Sequence, residues 1–196
     1  MNRIAKRCYN LSMPVDIRLT YDDFCLLPND GKRYEIIEGE LFVTPSPISL
    51  HQRVVTRLTV ALGSFLESRR LGEVFVSPFD VVFSRFDVVE PDILFISKAR
   101  SSVLTPKNVQ GAPDLVIEVL SKSTRHTDRT IKLKLYARYG VEEYWIIDPR
   151  VPAAQIYRRG KGGLERVRAL KPRDLLSSPL LPGFSLKLAE LVEPRF

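Results

Sequence analysis

Three charged residues stand where the apolar pattern says the chain is buried. Asp92 opens the run Pro91-Asp92-Ile93-Leu94-Phe95-Ile96, and strand alternation puts it on the face of Leu94 and Ile96. Glu118 interrupts Leu115-Val116-Ile117-Glu118-Val119-Leu120 on the face of Val116 and Leu120. A lone carboxylate inside a sheet costs roughly several kcal/mol, so each must be ion-paired, hydrogen-bonded or coordinated to a cation. At about 100° per residue, Lys132 shares a helix face with Asp128, Ile131, Leu135, Tyr136 and Tyr139, while Lys134 points away. Two readings follow: the acids share a divalent ion beside a lysine, or Lys132 simply pairs with them. The first suits phosphodiester hydrolysis. Mg²⁺ takes oxygen ligands and keeps waters that it acidifies, and a nearby ammonium steadies charge on the phosphoryl group. Phosphatases use similar parts.

The elements that must position these residues can be read from periodicity and turn signals. Residues 34–37 and 41–43 flank Glu38-Gly39 as a tight hairpin. After Thr44-Pro45-Ser46-Pro47, the spacing of Leu50, Val54, Leu58, Ala61, Leu62 and Phe65 predicts a helix over 49–70. Short strands are expected at 74–77, 79–83 and 93–96. The apolar run 115–120 reads as a central strand covered on both faces. A second helix is expected over 128–139, with Thr127 as N-cap and Gly140 at its end, then a strand at 143–147. A hairpin should follow from 155–157 and 164–167, and then a tail turning at Pro182-Gly183. The order predicts an α+β fold, a mixed sheet flanked by two main helices, with residues 1–30 as an N-terminal extension and 31–196 as one domain. No glycine-rich phosphate loop of either common pattern is present.

Composition is that of a soluble globular protein, with 44% hydrophobic and 27% charged residues among 196. No apolar run approaches the ~18 residues of a membrane span, and the basic N-terminus lacks the apolar core of a secretory signal. A cytoplasmic location is therefore expected, with Cys8 and Cys25 as reduced thiols. Of the net charge of +7, the segment 150–174 carries +6, with eight basic residues against two acidic. Such a segment either grips a polyanion or is a solvated hairpin.

The chain resembles the Uma-type family of endonucleases within the PD-(D/E)xK nuclease superfamily. The resemblance runs from Tyr34 to Tyr157, through Tyr34-Glu35-Ile36-Ile37-Glu38-Gly39-Glu40, Ser46-Pro47 with His51-Gln52, and Pro91-Asp92-Ile93-Leu94-Phe95. It continues through Gly111-Ala112-Pro113-Asp114-Leu115-Val116-Ile117-Glu118-Val119-Leu120-Ser121, then Asp128, Lys132 and Tyr136, then 140–149. It implies a restriction-endonuclease-like fold and a Mg²⁺ (or Mn²⁺) ion held by Asp92, Glu118 and the Val119 carbonyl. Lys132 would assist the attacking water, and Glu35 or Glu40, with His51, would complete the pocket. The superfamily lysine position two residues after the glutamate is Leu120 here. The resemblance moves that role to Lys132, with Lys122 as the rival. DNA would be the partner, gripped by residues 150–173, and nucleases of this fold often act as homodimers. The rival readings are a nucleic-acid-binding protein without catalysis and a structural interaction module.

Overall fold

A computed structural model describes residues 17–193. In chain order the elements are α1 (Tyr21–Phe24), β1 (Arg33–Ile37), β2 (Glu40–Thr44), α2 (Ser49–Glu67), β3 (Gly72–Val76), β4 (Val81–Ser84), β5 (Asp87–Val89), β6 (Ile93–Ser97), β7 (Val109–Gln110) and β8 (Leu115–Val119). There follow α3 (Arg125–Arg129), α4 (Ile131–Tyr139), β9 (Glu143–Asp148), β10 (Ala153–Gly160), β11 (Gly163–Leu170), β12 (Leu175–Leu176) and β13 (Leu186–Lys187).

The fold is α+β, as expected, but the strands form two main sheets rather than one. A six-stranded sheet runs β11-β10-β9-β8-β6-β3, and a five-stranded sheet runs β2-β1-β5-β4-β7. β8 sits at the centre of the larger sheet, antiparallel to β6 and parallel to β9, and all five of its residues are buried. Its alternation explains both faces. Leu115, Ile117 and Val119 pack with Ile93 and Phe95 against Val54, Leu58, Leu62 and Leu66 of α2. Val116 and Leu120 pack with Leu94 and Ile96 against Ile37, Val81 and Val89 of the smaller sheet and Leu135 and Tyr136 of α4. One sheet face is covered by α2 and the C-terminal tail, the other by the second sheet together with α4. β5 and β7 escaped the sequence reading because three-residue and two-residue strands carry too few alternations to show a period.

The first hairpin turns on Glu38 (φ 55°) and Gly39 (φ 84°). Two consecutive positive φ values are what a two-residue turn between twisted strands requires, and a Cβ on Gly39 would lie 2.7 Å from that of Arg18. The second helix departs from expectation. It is two helices, α3 and α4, broken at Thr130 (φ −127°, ψ −67°), and it begins after Thr124 rather than Thr127. The Thr130 hydroxyl donates to the His126 carbonyl at 2.6 Å, a local bond that competes with the helical ladder. The 155–167 hairpin is present as β10-β11, and the tail turns at Gly183 (φ 88°).

Leu19 and Tyr21 donate backbone hydrogen bonds to Gly39 and Arg85, so residues ahead of β1 lie on the smaller sheet. Among the described residues no helix is long and apolar enough to cross a membrane. Cys25 is an exposed free thiol; Cys8 and the N-terminal leader reading fall outside the described residues.

Candidate active site

The two sheets meet over Lys132. Buried on α4 together with Leu135 and Tyr136, its Nζ lies 2.8 Å from Glu35 Oε1, 2.9 Å from Glu118 Oε1 and 3.6 Å from Asp128 Oδ1. Glu35 comes from β1 of the smaller sheet, Glu118 from β8 of the larger one, and Asp128 from α3, one turn before the lysine. All four side chains are at most 3% exposed. The Tyr136 hydroxyl donates to Glu118 Oε1 at 2.8 Å, and the Glu90 N–H donates to Glu35 Oε1 at 2.9 Å.

Asp92 stands next to this cluster. The register Ile93↔Ile117 carries on to place Asp92 opposite Glu118, and its N–H lies 3.4 Å from Glu118 Oε2. Its carboxylate has separate partners. Arg33 holds Oδ1 at 2.7 Å, while His51 Nε2 (3.1 Å) and the Val119 N–H (2.8 Å) lie on Oδ2. Arg33 also donates to the Glu90 carbonyl, and it shares one face of β1 with Glu35, two residues on. In an extended strand a residue's C=O leaves on the same edge as its N–H, so the Val119 carbonyl also faces the Asp92 side.

Electrostatics differ across the pair. Burial would raise the Asp92 carboxyl, but the His51 hydrogen bond, the Arg33 charge and the Val119 N–H outweigh it and hold it well below the usual range. For Glu118, burial and the charges of Asp128, Asp92 and Glu35 outweigh Lys132 and push it up to about 8. Burial also raises Asp128, against Lys132 and Thr124. Burial disfavours the Lys132 charge, yet Glu118, Glu35 and Asp128 keep that ammonium firmly protonated. Burial, followed by the Asp80 charge, pushes Glu90 up to about 7.

Of the four acids Glu35, Asp92, Glu118 and Asp128, Asp92 alone lines a cleft of about 980 Å³. Asp92, His51, Glu90 and Arg33 line its polar end, and Ser121, Lys122, Ser123 and Arg150 line one wall. His51, in the first turn of α2, is 4% exposed, and its Nδ1 is buried without a hydrogen-bond partner among the described residues.

The structure therefore brings together Asp92, Glu118, Lys132, Glu35, His51 and the Val119 backbone. It separates Glu40 from them. Glu40 is exposed at the turn end of the hairpin, opposite Ile37, whereas Glu35 lies opposite Phe42; the strand register carries Glu40 away from the cluster. Lys122 is exposed on the cleft wall, Lys134 faces solvent, and His126 is exposed. Asp114 accepts the Ser97 N–H at 2.7 Å, a strand-end cap. Of the basic segment, Arg150 alone among the described residues lines the cleft. β10 and β11 form the far edge of the larger sheet, where Arg158 pairs with Glu143 and Arg159 with Glu142. Sequence reasoning missed Arg33, whose signal was its position two residues before Glu35. It also placed Tyr136 on the Lys132 face without a partner for its hydroxyl, which here donates to Glu118.

Could these residues hold a divalent cation? Among the described residues no three His, Cys, Asp or Glu side chains converge as a metal cluster. The donors on offer are two carboxylates and a backbone carbonyl, all hard oxygens of the kind Mg²⁺ or Mn²⁺ accepts. Four buried carboxylates (Glu35, Asp92, Glu118, Asp128) face two permanent cations, Arg33 and Lys132, so with all four ionised the cluster is two positive charges short. The donor chemistry and the charge deficit both fit a divalent ion.

Comparison with known proteins agrees with this architecture. A solved structure from Anabaena variabilis ATCC 29413, described as "a putative nuclease belonging to DUF820", superposes with a TM-score of 0.75 at 23% identity, covering 89% of this chain and 97% of that one. At that identity the likeness speaks for the fold. No curated protein matches the chain. The Uma2 family model, whose description reads "Putative restriction endonuclease", matches residues 21–189. The chain is a member of the Uma2 family.

Proposed function

We propose that this protein is a divalent-metal-dependent endonuclease that hydrolyses DNA phosphodiester bonds. One observation carries the reading: a buried acidic cluster that with all four carboxyls ionised is two positive charges short, with Asp92 lining an open cleft, in a chain of a nuclease family. Asp92, Glu118 and the Val119 carbonyl would hold Mg²⁺ or Mn²⁺. When bound, the ion supplies Lewis-acid polarisation of the phosphoryl oxygen and a more acidic water. Lys132, 2.9 Å from Glu118, keeps a permanent positive charge beside that acid and fixes its orientation. Arg33 and His51 hold the Asp92 carboxylate from two sides, and Lys122 and Arg150 on the cleft wall would meet phosphates.

The test is a Mg²⁺ or Mn²⁺ titration followed by thermal melting, alongside cleavage of labelled DNA. A bound ion raises the melting temperature, and Asp92→Asn should remove both the gain and cleavage. No stabilisation by either metal in the wild type overturns the reading. A second reading has its own support. Each acid already meets a base, Arg33 on Asp92 and Lys132 on Glu118, and the strand lysine position is the buried Leu120. That pattern suits a nucleic-acid-binding protein without catalysis. Salt-dependent DNA binding with no cleavage in either metal would establish it.

A further inference from the structure

The cleft is more apolar than phosphate binding requires. Besides Lys122 and Arg150, its lining includes Phe24, Leu27, Tyr34, Pro45, Pro47 and Ile48, with Lys32, Ser46 and Gln52 among them. Ile48 is 55% exposed and occupies the N-cap of α2, where no side-chain cap bond is made. Ser, Thr, Asp or Asn would stabilise the helix at that position, so an exposed isoleucine there gives up local stability for an apolar surface. Pro45 and Pro47 restrict their own φ and the conformations of the residues before them, making this stretch stiff. The lining therefore offers two kinds of surface, basic and polar groups and a stiff apolar stretch, together with Asp92.

This mixed lining fits one kind of occupant. In duplex DNA the bases face inward and a protein wall meets phosphates, which an apolar surface would desolvate without return. An unpaired strand offers both chemistries, a charged backbone on one side and open base faces on the other. Resting on the nuclease reading above, we propose that the substrate is single-stranded or locally unpaired DNA. One base is seated against Tyr34, Pro47 and Ile48, and the backbone runs past Lys122 and Arg150 to the acids.

The experiment uses the full chain in EDTA, so that binding is read without cleavage. Fluorescence anisotropy compares a labelled 20-mer single strand, its blunt duplex and a duplex with a central unpaired stretch. Base stacking on an aromatic ring changes affinity by about five- to a hundredfold. The single strand and the unpaired duplex should bind at least about tenfold tighter than the blunt duplex. Tyr34→Ala and the surface change Ile48→Ser should each cut that preference while leaving the salt slope unchanged. Lys122→Ala should instead flatten the slope by about one ion. A 2-aminopurine placed in the strand should be quenched by the wild type and less by Tyr34→Ala; melting curves of the variants confirm that they fold. Equal affinity for single strand and duplex, or unchanged preference in both wall variants, overturns the proposal while leaving a nuclease that cuts duplex. If no DNA form binds, this proposal and the nuclease reading fall together.

Discussion

Replacing Lys132 by methionine tests the centre of the molecule most directly. The change keeps the volume of the chain and removes one charge from among Glu35, Glu118 and Asp128, which lie 2.8, 2.9 and 3.6 Å from Nζ. Removing one partner of a buried ion pair costs about 3–5 kcal/mol, because the other charge remains desolvated. For a chain of this size each kcal/mol moves the melting temperature by about 2–4 °C, so a fall of about 6–20 °C is expected at pH 7. Two controls tie the loss to stranded acids. Glu118→Gln added to Lys132→Met should recover part of the loss, a non-additivity that a double-mutant cycle reads as coupling. The loss should also be larger at pH 9 than at pH 6, since Glu118, raised to about 8, protonates between them and then no longer needs the lysine's charge. The assay is calorimetry of the metal-free protein. A loss below about 1 kcal/mol, or strictly additive single changes, would refute the argument that Lys132 neutralises this cluster.

Other expected outcomes follow from the same geometry. In single-turnover cleavage run well below the melting temperature, Lys132→Ala should lose activity strongly with DNA affinity nearly kept, and Lys134→Ala on the exposed face should change little; equal effects would refute the assignment. Glu118 is raised from its ordinary value to about 8. The folded metal-free state therefore holds more protons than the unfolded chain between pH 5 and 8, and this group's contribution to stability falls as pH rises through that window. Urea unfolding across that range should show the decline in the wild type and a flatter profile in Glu118→Gln. Asp92 has the opposite sign, its depressed pKa giving stability above the ordinary aspartate range that is lost on acidification. Arg33→Gln should therefore cost most near pH 7, and its melting curve should draw towards the wild type's only once the pH has fallen well below the ordinary aspartate range.

How much of this could be read from residues alone depends on where the information lies. The faces of β6 and β8 were legible because long, fully buried strands carry clean alternation, and it was this that singled out Asp92 and Glu118. The packing face of α4 was legible for the same reason, and with it Lys132. What escaped were facts of register and of the second sheet. Glu35 and Glu40 are indistinguishable in a list of acids, and only the pairing of Glu35 with Phe42 decides which one reaches the lysine. Arg33 looked like any hairpin-flanking arginine until the sheets met and brought it to Asp92. The basic hairpin is a related case. Charge counted along the chain cannot tell which arginines are spent on nearby acids, as Arg158 is on Glu143.

That Lys132 answers to a carboxylate from each of two sheets has a consequence for control. The larger sheet supplies Asp92 and Glu118, the smaller one supplies Glu35 and Arg33, and α4 adds ties of its own from Tyr139 to Asp87 and from Arg138 to Glu38. A chain in which the sheets have parted leaves Lys132 without Glu35 and Asp92 without Arg33. On the proposed function, any cleavage should therefore be lost in denaturant at the step that separates the two sheets, before the rest of the chain unfolds.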